Sequence, residues 1–179
     1  YAGNYGISKN PESFAVYGYR KYFTDKNRNA VLRLSRDGIT EISAYGMKDF
    51  FRDNLISLDT PSAAGKAIGG FDIHNKNYVV SLQSANSQIE YKTLSFDDSI
   101  NGWTSFYSYK PSFSFNLKNN FYTTDSTGLY LHNYNNPSAT TKPTFYGVAF
   151  DSSVKFVFNP KPSLAKVFKT INYEGDDGW

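Results

Sequence analysis

The 179-residue chain contains no cysteine. That excludes disulfide bonds, thiol catalysis and thiolate metal sites together, without fixing a compartment. It has one methionine, Met47, and little alanine. No apolar run approaches the ~20 residues that a membrane helix needs, so no membrane span is expected, and no signal-peptide pattern is present. A clustered basic stripe, the footprint of nucleic-acid binding, is also missing. The 19 basic and 16 acidic residues are mixed along the chain, for a net charge of +3 and a pI near 8.9. Tyr19-Arg20-Lys21-Tyr22 and Arg33 to Arg36 read as solvent-facing strand positions, and no nucleic-acid partner is expected. There is no nucleophile elbow, phosphate loop or metal-binding histidine pair.

What the chain has is aromatic residues, 15 Tyr and 15 Phe, among many Asn and Ser. Aromatic and β-branched side chains suit a pleated sheet, while Asn, Ser, Gly and Asp supply its turns. The aromatics read first as core and cross-strand pairs, and second as a sugar- or protein-binding surface.

An aromatic-then-aspartate turn opening an apolar strand recurs. Tyr22-Phe23-Thr24-Asp25 precedes Ala30 to Leu34, and Phe71-Asp72 precedes Tyr78 to Leu82. Tyr122-Thr123-Thr124-Asp125 precedes Leu129 to Leu131, and Phe150-Asp151 precedes Val154 to Phe158. Asp opens such turns because its carboxylate bonds backbone N–H groups two residues on. The first three aspartates are 47 and 53 residues apart, about the length of a four-stranded propeller blade. The fourth follows after only 26, which a strict repeat would not give.

Residues 1–20 read as an irregular lead-in, with a helical turn over Pro11 to Tyr17 started by Asn10-Pro11-Glu12. Three strands follow over 20–43. Met47, Phe50, Phe51 and Leu55 then mark one face of a short helix near 47–54. Residues 59–70 read as loop. Strands are expected over Tyr78 to Leu82, Glu90 to Phe96, Trp103 to Tyr109 (aromatic on both faces, so covered on both sides) and Phe113 to Leu117. Residues 133–143 read as loop, and Val154 to Phe158 and Lys166 to Tyr173 as the last strands. The expected class is all-β: antiparallel propeller-like blades, closed or incomplete, with a β-sandwich as the alternative. Tyr1 and the closing Asp176-Asp177-Gly178-Trp179 suggest a single β-rich domain, or a fragment cut from a larger multi-domain chain, with β repeats over 20–175.

The chemistry is sparse. His74 and His132 occupy a turn and a strand end and read as exposed. Asp25-x-Asn27-x-Asn29 begins like a calcium loop, but Ala30 stands where Gly is required and Arg36 where the bidentate Glu should be, so a plain hairpin turn is the better reading. Asp97-Asp98 and Asp176-Asp177 are neighbours whose side chains would diverge in a strand, whereas glycosidases need two carboxyls facing one substrate. No catalytic, cofactor-binding or metal-binding residue is identified, and no enzyme activity is expected.

Asn4-Tyr5-Gly6-Ile7-Ser8-Lys9-Asn10-Pro11-Glu12-Ser13-Phe14, Tyr22 to Arg28, Val31 to Gly38, Gly102-Trp103-Thr104-Ser105-Phe106 and Thr170 to Gly175 together resemble segments of large structural proteins of tailed bacteriophage virions, from the tail, baseplate or tail-tip region. The resemblance runs over most of the chain and least over 57–70 and 133–147. It implies a virion location in the tail and a role in assembly. The partners it implies are copies of the chain, other virion tail proteins and the rest of the same longer polypeptide. The alternative is a carbohydrate-binding module, with Trp103, Tyr107 and Tyr109, or Tyr134 among Asn133, Asn135 and Asn136, as the glycan or partner contacts. Exposure separates the two readings: aromatics in a shallow pocket favour sugar, and aromatics in the core or under a neighbour favour structure.

Overall fold

Asp25 closes the hairpin between Arg20–Asp25 and Ala30–Ser35 as its chemistry leads one to expect. Its carboxylate accepts from the Arg28 backbone N–H, a single 3-10 turn spans Lys26–Arg28, and Asn29 takes the left-handed conformation at φ 53°, which Asn tolerates better than most residues. The computed structural model describes residues 4–86, 91–134, 144–156, 159, 161–170 and 172.

Four strands, β1 (Ala15–Tyr17), β2 (Arg20–Asp25), β3 (Ala30–Ser35) and β4 (Gly38–Glu41), pair antiparallel in chain order as the first sheet. The helix follows as α1 (Lys48–Ile56), with Phe51 and Leu55 buried and the polar positions outside, where Arg52 bonds Asp49 and Asp53. A second meander of β5 (Lys66–Asp72), β6 (Asn77–Gln83), β7 (Lys92–Asp97) and β8 (Gly102–Tyr107) forms the second sheet. The third sheet comprises β9 (Phe113–Leu117), β10 (Asn120–Thr124) and β11 (Leu129–Leu131), and a ribbon of β12 (Thr144–Phe145) and β13 (Val148–Ala149) follows. All pairings are antiparallel.

The first two sheets meet face to face over one core, built from Tyr22, Val31, Ile42, Phe51, Phe71, Tyr78, Val80 and Phe96 among others. Tyr22 stacks on Tyr78 at 4.9 Å and on Phe71 at 5.7 Å between ring centroids, a contribution of about 0.5–1.5 kcal/mol per pair beyond area burial. β6 is buried along its whole length because its other face, through Val79, packs on Tyr109 and Phe121 beside the third sheet. Two glycines permit that double burial. A Cβ on Gly69 would sit 1.9 Å from the Ser13 carbonyl oxygen, and one on Gly70 2.6 Å from Ser114 Oγ. The chain ahead of β1 and the third sheet thus press on β5 from opposite sides, closer than any side chain allows.

The first strands of the three sheets lie side by side, β1 on β5 and β5 on β9. The molecule is all-β with one helix, and none of the described sheets closes into a barrel. Successive meanders arranged this way are consistent with an incomplete propeller-like or a sandwich arrangement.

Several sequence expectations change. The lead-in holds a 3-10 turn at Pro11–Ser13 and then β1, not a turn of helix to Tyr17. The loop expected to residue 70 ends at Lys66, since Gly69 and Gly70 belong inside β5. β8 is an edge strand with Phe106 61% exposed, so it is not covered on both sides. Val154 to Phe156, 166–170 and 172 lie in no strand. Residues 135–143, 157, 158, 171 and 173–179 lie outside the described residues. The turns at Asp25, Asp72 and Asp125 hold as turns, while Asp151 lies in no turn and opens no strand among the described residues. Even among the three, Asp25 ends and Asp125 follows the second strand of its sheet, whereas Asp72 ends the first strand of its own. What recurs is turn chemistry, not the register of the sheets.

Candidate functional site

The turn after β5 begins the site. Asp72 accepts from the backbone N–H groups of His74 (2.9 Å) and Asn75 (3.2 Å). The Asn75 side-chain amide adds a third bond at 2.8 Å, and Asn133 Nδ2 reaches both carboxylate oxygens at 3.0 and 2.9 Å. Asn133, at φ 59°, is carried there by the end of β11. The second and third sheets are thus tied by one buried, saturated carboxylate.

Beside it lies a pocket of about 360 Å³ lined by Asp72, Asn75, Tyr107, Tyr109, His132 and Tyr134, with Tyr130 and the β12–β13 ribbon completing the wall. Tyr109 is its floor: buried, with its ring 4.7 Å from His132 and 5.0 Å from Phe145. Its backbone carbonyl accepts from Thr93 Oγ1 at 2.6 Å. Tyr134 is the rim and is 70% exposed. Thr123 Oγ1 lies 2.6 Å from His132 Nε2 and 2.7 Å from the Tyr146 hydroxyl.

Burial sets the protonation of the pocket. It pushes the Tyr109 phenol well above its usual range and Tyr146 up to about 12. It lowers His132 to about 4, against the opposing pull of Asp72. Near neutral pH the pocket therefore presents the neutral imidazole of His132 and the neutral phenols of Tyr109 and Tyr146, beside the Asp72 side chain that four donor groups already engage. That arrangement can stack and hydrogen-bond a neutral polar molecule. Among the described residues that line it there is no second carboxyl for glycoside cleavage and no activated nucleophile.

Three of the four aromatic residues singled out from the sequence, Tyr107, Tyr109 and Tyr134, converge here. Trp103 does not. Its ring packs 4.5 Å from Phe51 and 5.3 Å from Phe96, and its Nε1 donates to the Ile42 carbonyl at 3.0 Å, which sets it, half-buried, against the core between the first two sheets. Asn135 and Asn136 lie outside the described residues. His74 is exposed as expected, whereas His132 is enclosed by Tyr109, Phe121 and Phe145. The sequence signal for His132 was present: it opposes Phe121 across β10 and β11, both rich in aromatics. Asp25 spends its carboxylate on the Gly6 and Arg28 N–H groups, as in a plain hairpin turn. Among the described residues no group of three His, Asp or Glu gathers as metal ligands, and no helix is long and apolar enough to cross a membrane.

A second surface lies on the far side of the third sheet. The registers Phe113↔Thr124↔Leu129, Phe115↔Tyr122↔Leu131 and Leu117↔Asn120 place all these side chains on one face. Phe113, Leu117 and Leu129 are 55%, 56% and 60% exposed, and Phe115 stacks on Tyr122 at 5.5 Å. The serine alternating with these aromatics, Ser114, points the other way and donates to the Gly69 carbonyl.

Residues 140–179 match the family described as Crassvirus muzzle protein C-terminal domain. A search of the curated proteins found no match. The family match indicates a structural protein of a phage virion and supports a place in the virion.

Proposed function

We propose that this chain is a rigid, non-enzymatic block of the phage tail, in the part of the assembly distal to the portal. It works by packing against copies of itself, other tail proteins and the rest of its own longer polypeptide. One observation carries this reading: the third sheet turns a face of Phe, Leu and Tyr to solvent, with no charged residue on it. A contiguous apolar patch of this kind marks a protein interface. Localisation in purified virions tests it, by mass spectrometry together with a cryo-EM map. The expected result is density for this fold at a fixed symmetric position in the tail. Absence from particles would overturn the reading.

The meeting of Tyr107, Tyr109 and Tyr134 with Asn75 and Asn133 favours a second reading, a receptor-recognition module for neutral sugars. On this reading Tyr107 and Tyr134 would stack the sugar and the amides would bond its hydroxyls. A glycan array with the wild-type chain and with Tyr134→Ala separates the two. Retention of glycans by the wild type and at least tenfold weaker retention by the variant supports it, and no retention by either chain removes it.

A further inference from the structure

The β12–β13 ribbon turns through Tyr146 and Gly147, both at positive φ (54° and 78°). That is the type I′ pattern of a two-residue hairpin, which favours Asn or Asp followed by Gly. Gly147 fits it. Tyr146 does not, because a bulky side chain in the left-handed region is an outlier, and it is the one aromatic residue so placed among the described residues. Strained backbone of this kind persists where the surroundings over-determine it, and it clusters at functional sites.

The side chain shows what holds Tyr146 there. Its ring lies 4.3 Å from that of Tyr130 and 5.7 Å from that of Tyr109, and it forms part of the pocket wall. Its hydroxyl lies 2.7 Å from Thr123 Oγ1, which in turn lies 2.6 Å from His132 Nε2. Thr123 is fully buried, so this chain of three groups is fixed at its centre. Each hydroxyl can give one proton and can also accept, so the chain can run in either direction. With the imidazole proton on Nδ1, Thr123 donates to Nε2, Tyr146 donates to Thr123, and the phenol oxygen is left as an acceptor. With that proton on Nε2, His132 donates to Thr123, Thr123 donates to Tyr146, and the phenol O–H is left as a donor. Such an end matches a sugar hydroxyl, which is itself both donor and acceptor, whereas a carbonyl or ether oxygen uses one direction only.

We propose that the pocket is a subsite for one uncharged sugar unit, and that Tyr146 reads a hydroxyl of that unit from a turn kept strained for the purpose. This rests on the receptor-recognition reading above and adds a recognition residue, a size and a charge to it. Thr123 and His132 act through Tyr146 and are its positioning residues. At about 360 Å³ the pocket stands at the small end of the roughly 300–1,000 Å³ of ligand sites, and Tyr109 closes it below, so it takes one unit end-on. Its described lining contains no Lys or Arg to meet an anionic sugar, and the Asp72 side chain would oppose one.

Titration calorimetry of the whole chain with glucose, galactose, mannose, N-acetylglucosamine and glucuronate provides the test. At least one of the neutral sugars should bind, and the anionic glucuronate at least tenfold more weakly. Tyr146→Phe keeps the ring and loses the hydroxyl, so it should weaken the bound sugar at least tenfold while the circular dichroism spectrum stays that of the wild type. Thr123→Val should weaken it too, and Thr123→Ser, which keeps the hydroxyl, should not; this pair serves should Tyr146→Phe fail to fold. Tyr146→Asn suits the turn, so it should hold or raise the Tm while losing the sugar, whereas a merely structural tyrosine would lose Tm and keep the sugar. Sugar binding that Tyr134→Ala weakens and Tyr146→Phe leaves unchanged overturns the role of Tyr146, with the recognition reading intact. Glucuronate bound as tightly as the neutral sugars overturns the uncharged subsite. If no neutral sugar binds while the glycan array retains the chain, the one-unit subsite falls and the recognition reading stands. If the array is blank as well, both fall.

Discussion

Asp98 and Arg33 join the first two sheets across 65 residues of sequence, with Arg33 Nη1 donating to Asp98 Oδ1 at 2.5 Å. The Tyr22 hydroxyl donates to the other carboxylate oxygen, and Arg20 lies 3.2 Å from it. Burial and then this carboxylate push the Tyr22 phenol far above its ordinary range.

Removing the carboxylate leaves the mostly buried Arg33 guanidinium without its counter-charge, which typically costs about 3–5 kcal/mol. Asp98→Ala should lose that much in urea denaturation, and Asp98→Asn, which keeps an acceptor, about half of it. Stability of Asp98→Ala within about 1 kcal/mol of wild type would show that the sheets are held by their apolar faces alone.

Gly69→Ala forces a methyl against the Ser13 carbonyl at 1.9 Å, backbone on backbone. More than about 3 kcal/mol should be lost, with the variant found largely unfolded by circular dichroism. Gly70→Ala meets the Ser114 and Phe121 side chains instead, which can shift, and should cost about 1–3 kcal/mol. Gly6→Ala, with nothing within 4 Å, should stay within about 0.5 kcal/mol of wild type. An equal response at all three positions would refute the close approach on β5.

His132 titrates near 4 in the folded chain because burial disfavours its charged form, and near 6.5 when unfolded. Above about pH 6.5 both states are neutral and the group is without effect. As the pH falls from there toward 4, the unfolded state takes the proton first, and the fold should lose roughly 2–3 kcal/mol. Unfolding curves of wild type and His132→Gln should therefore diverge over this window, the variant losing less on acidification. Parallel curves would place His132 in water.

Trp103→Phe removes the donor to the Ile42 carbonyl and leaves an acceptor without its partner. A loss of about 1–3 kcal/mol is expected, with no change in self-association or glycan retention. A binding defect without a stability defect would return Trp103 to the list of surface contacts.

Much of this architecture was legible because it is local. The Met47, Phe50, Phe51 and Leu55 spacing gave α1, and Asp25 to Asn29 gave the β2–β3 hairpin. Alternation at Phe113, Phe115 and Leu117 gave β9 but not the direction it faces. Its serine turns inward only because Gly69 and Gly70, more than forty residues earlier, leave room for it. The pocket was illegible for the same reason. Tyr107 and Tyr134 meet through the turn of β9 to β11 and an amide bond to Asp72, and neither leaves a local pattern. Val154-Lys155-Phe156 shows the converse: its alternation alone does not make a strand.

Within each of the three sheets, every strand pairs only with strands adjacent to it in sequence, which bears on how the protein is made. Hairpins close in about 1–10 μs, whereas synthesis delivers roughly 5–20 residues per second. Each sheet can thus be complete before the next leaves the ribosome, so that the apolar face it exposes waits only for the succeeding sheet, and the chain orders itself from its beginning toward its end.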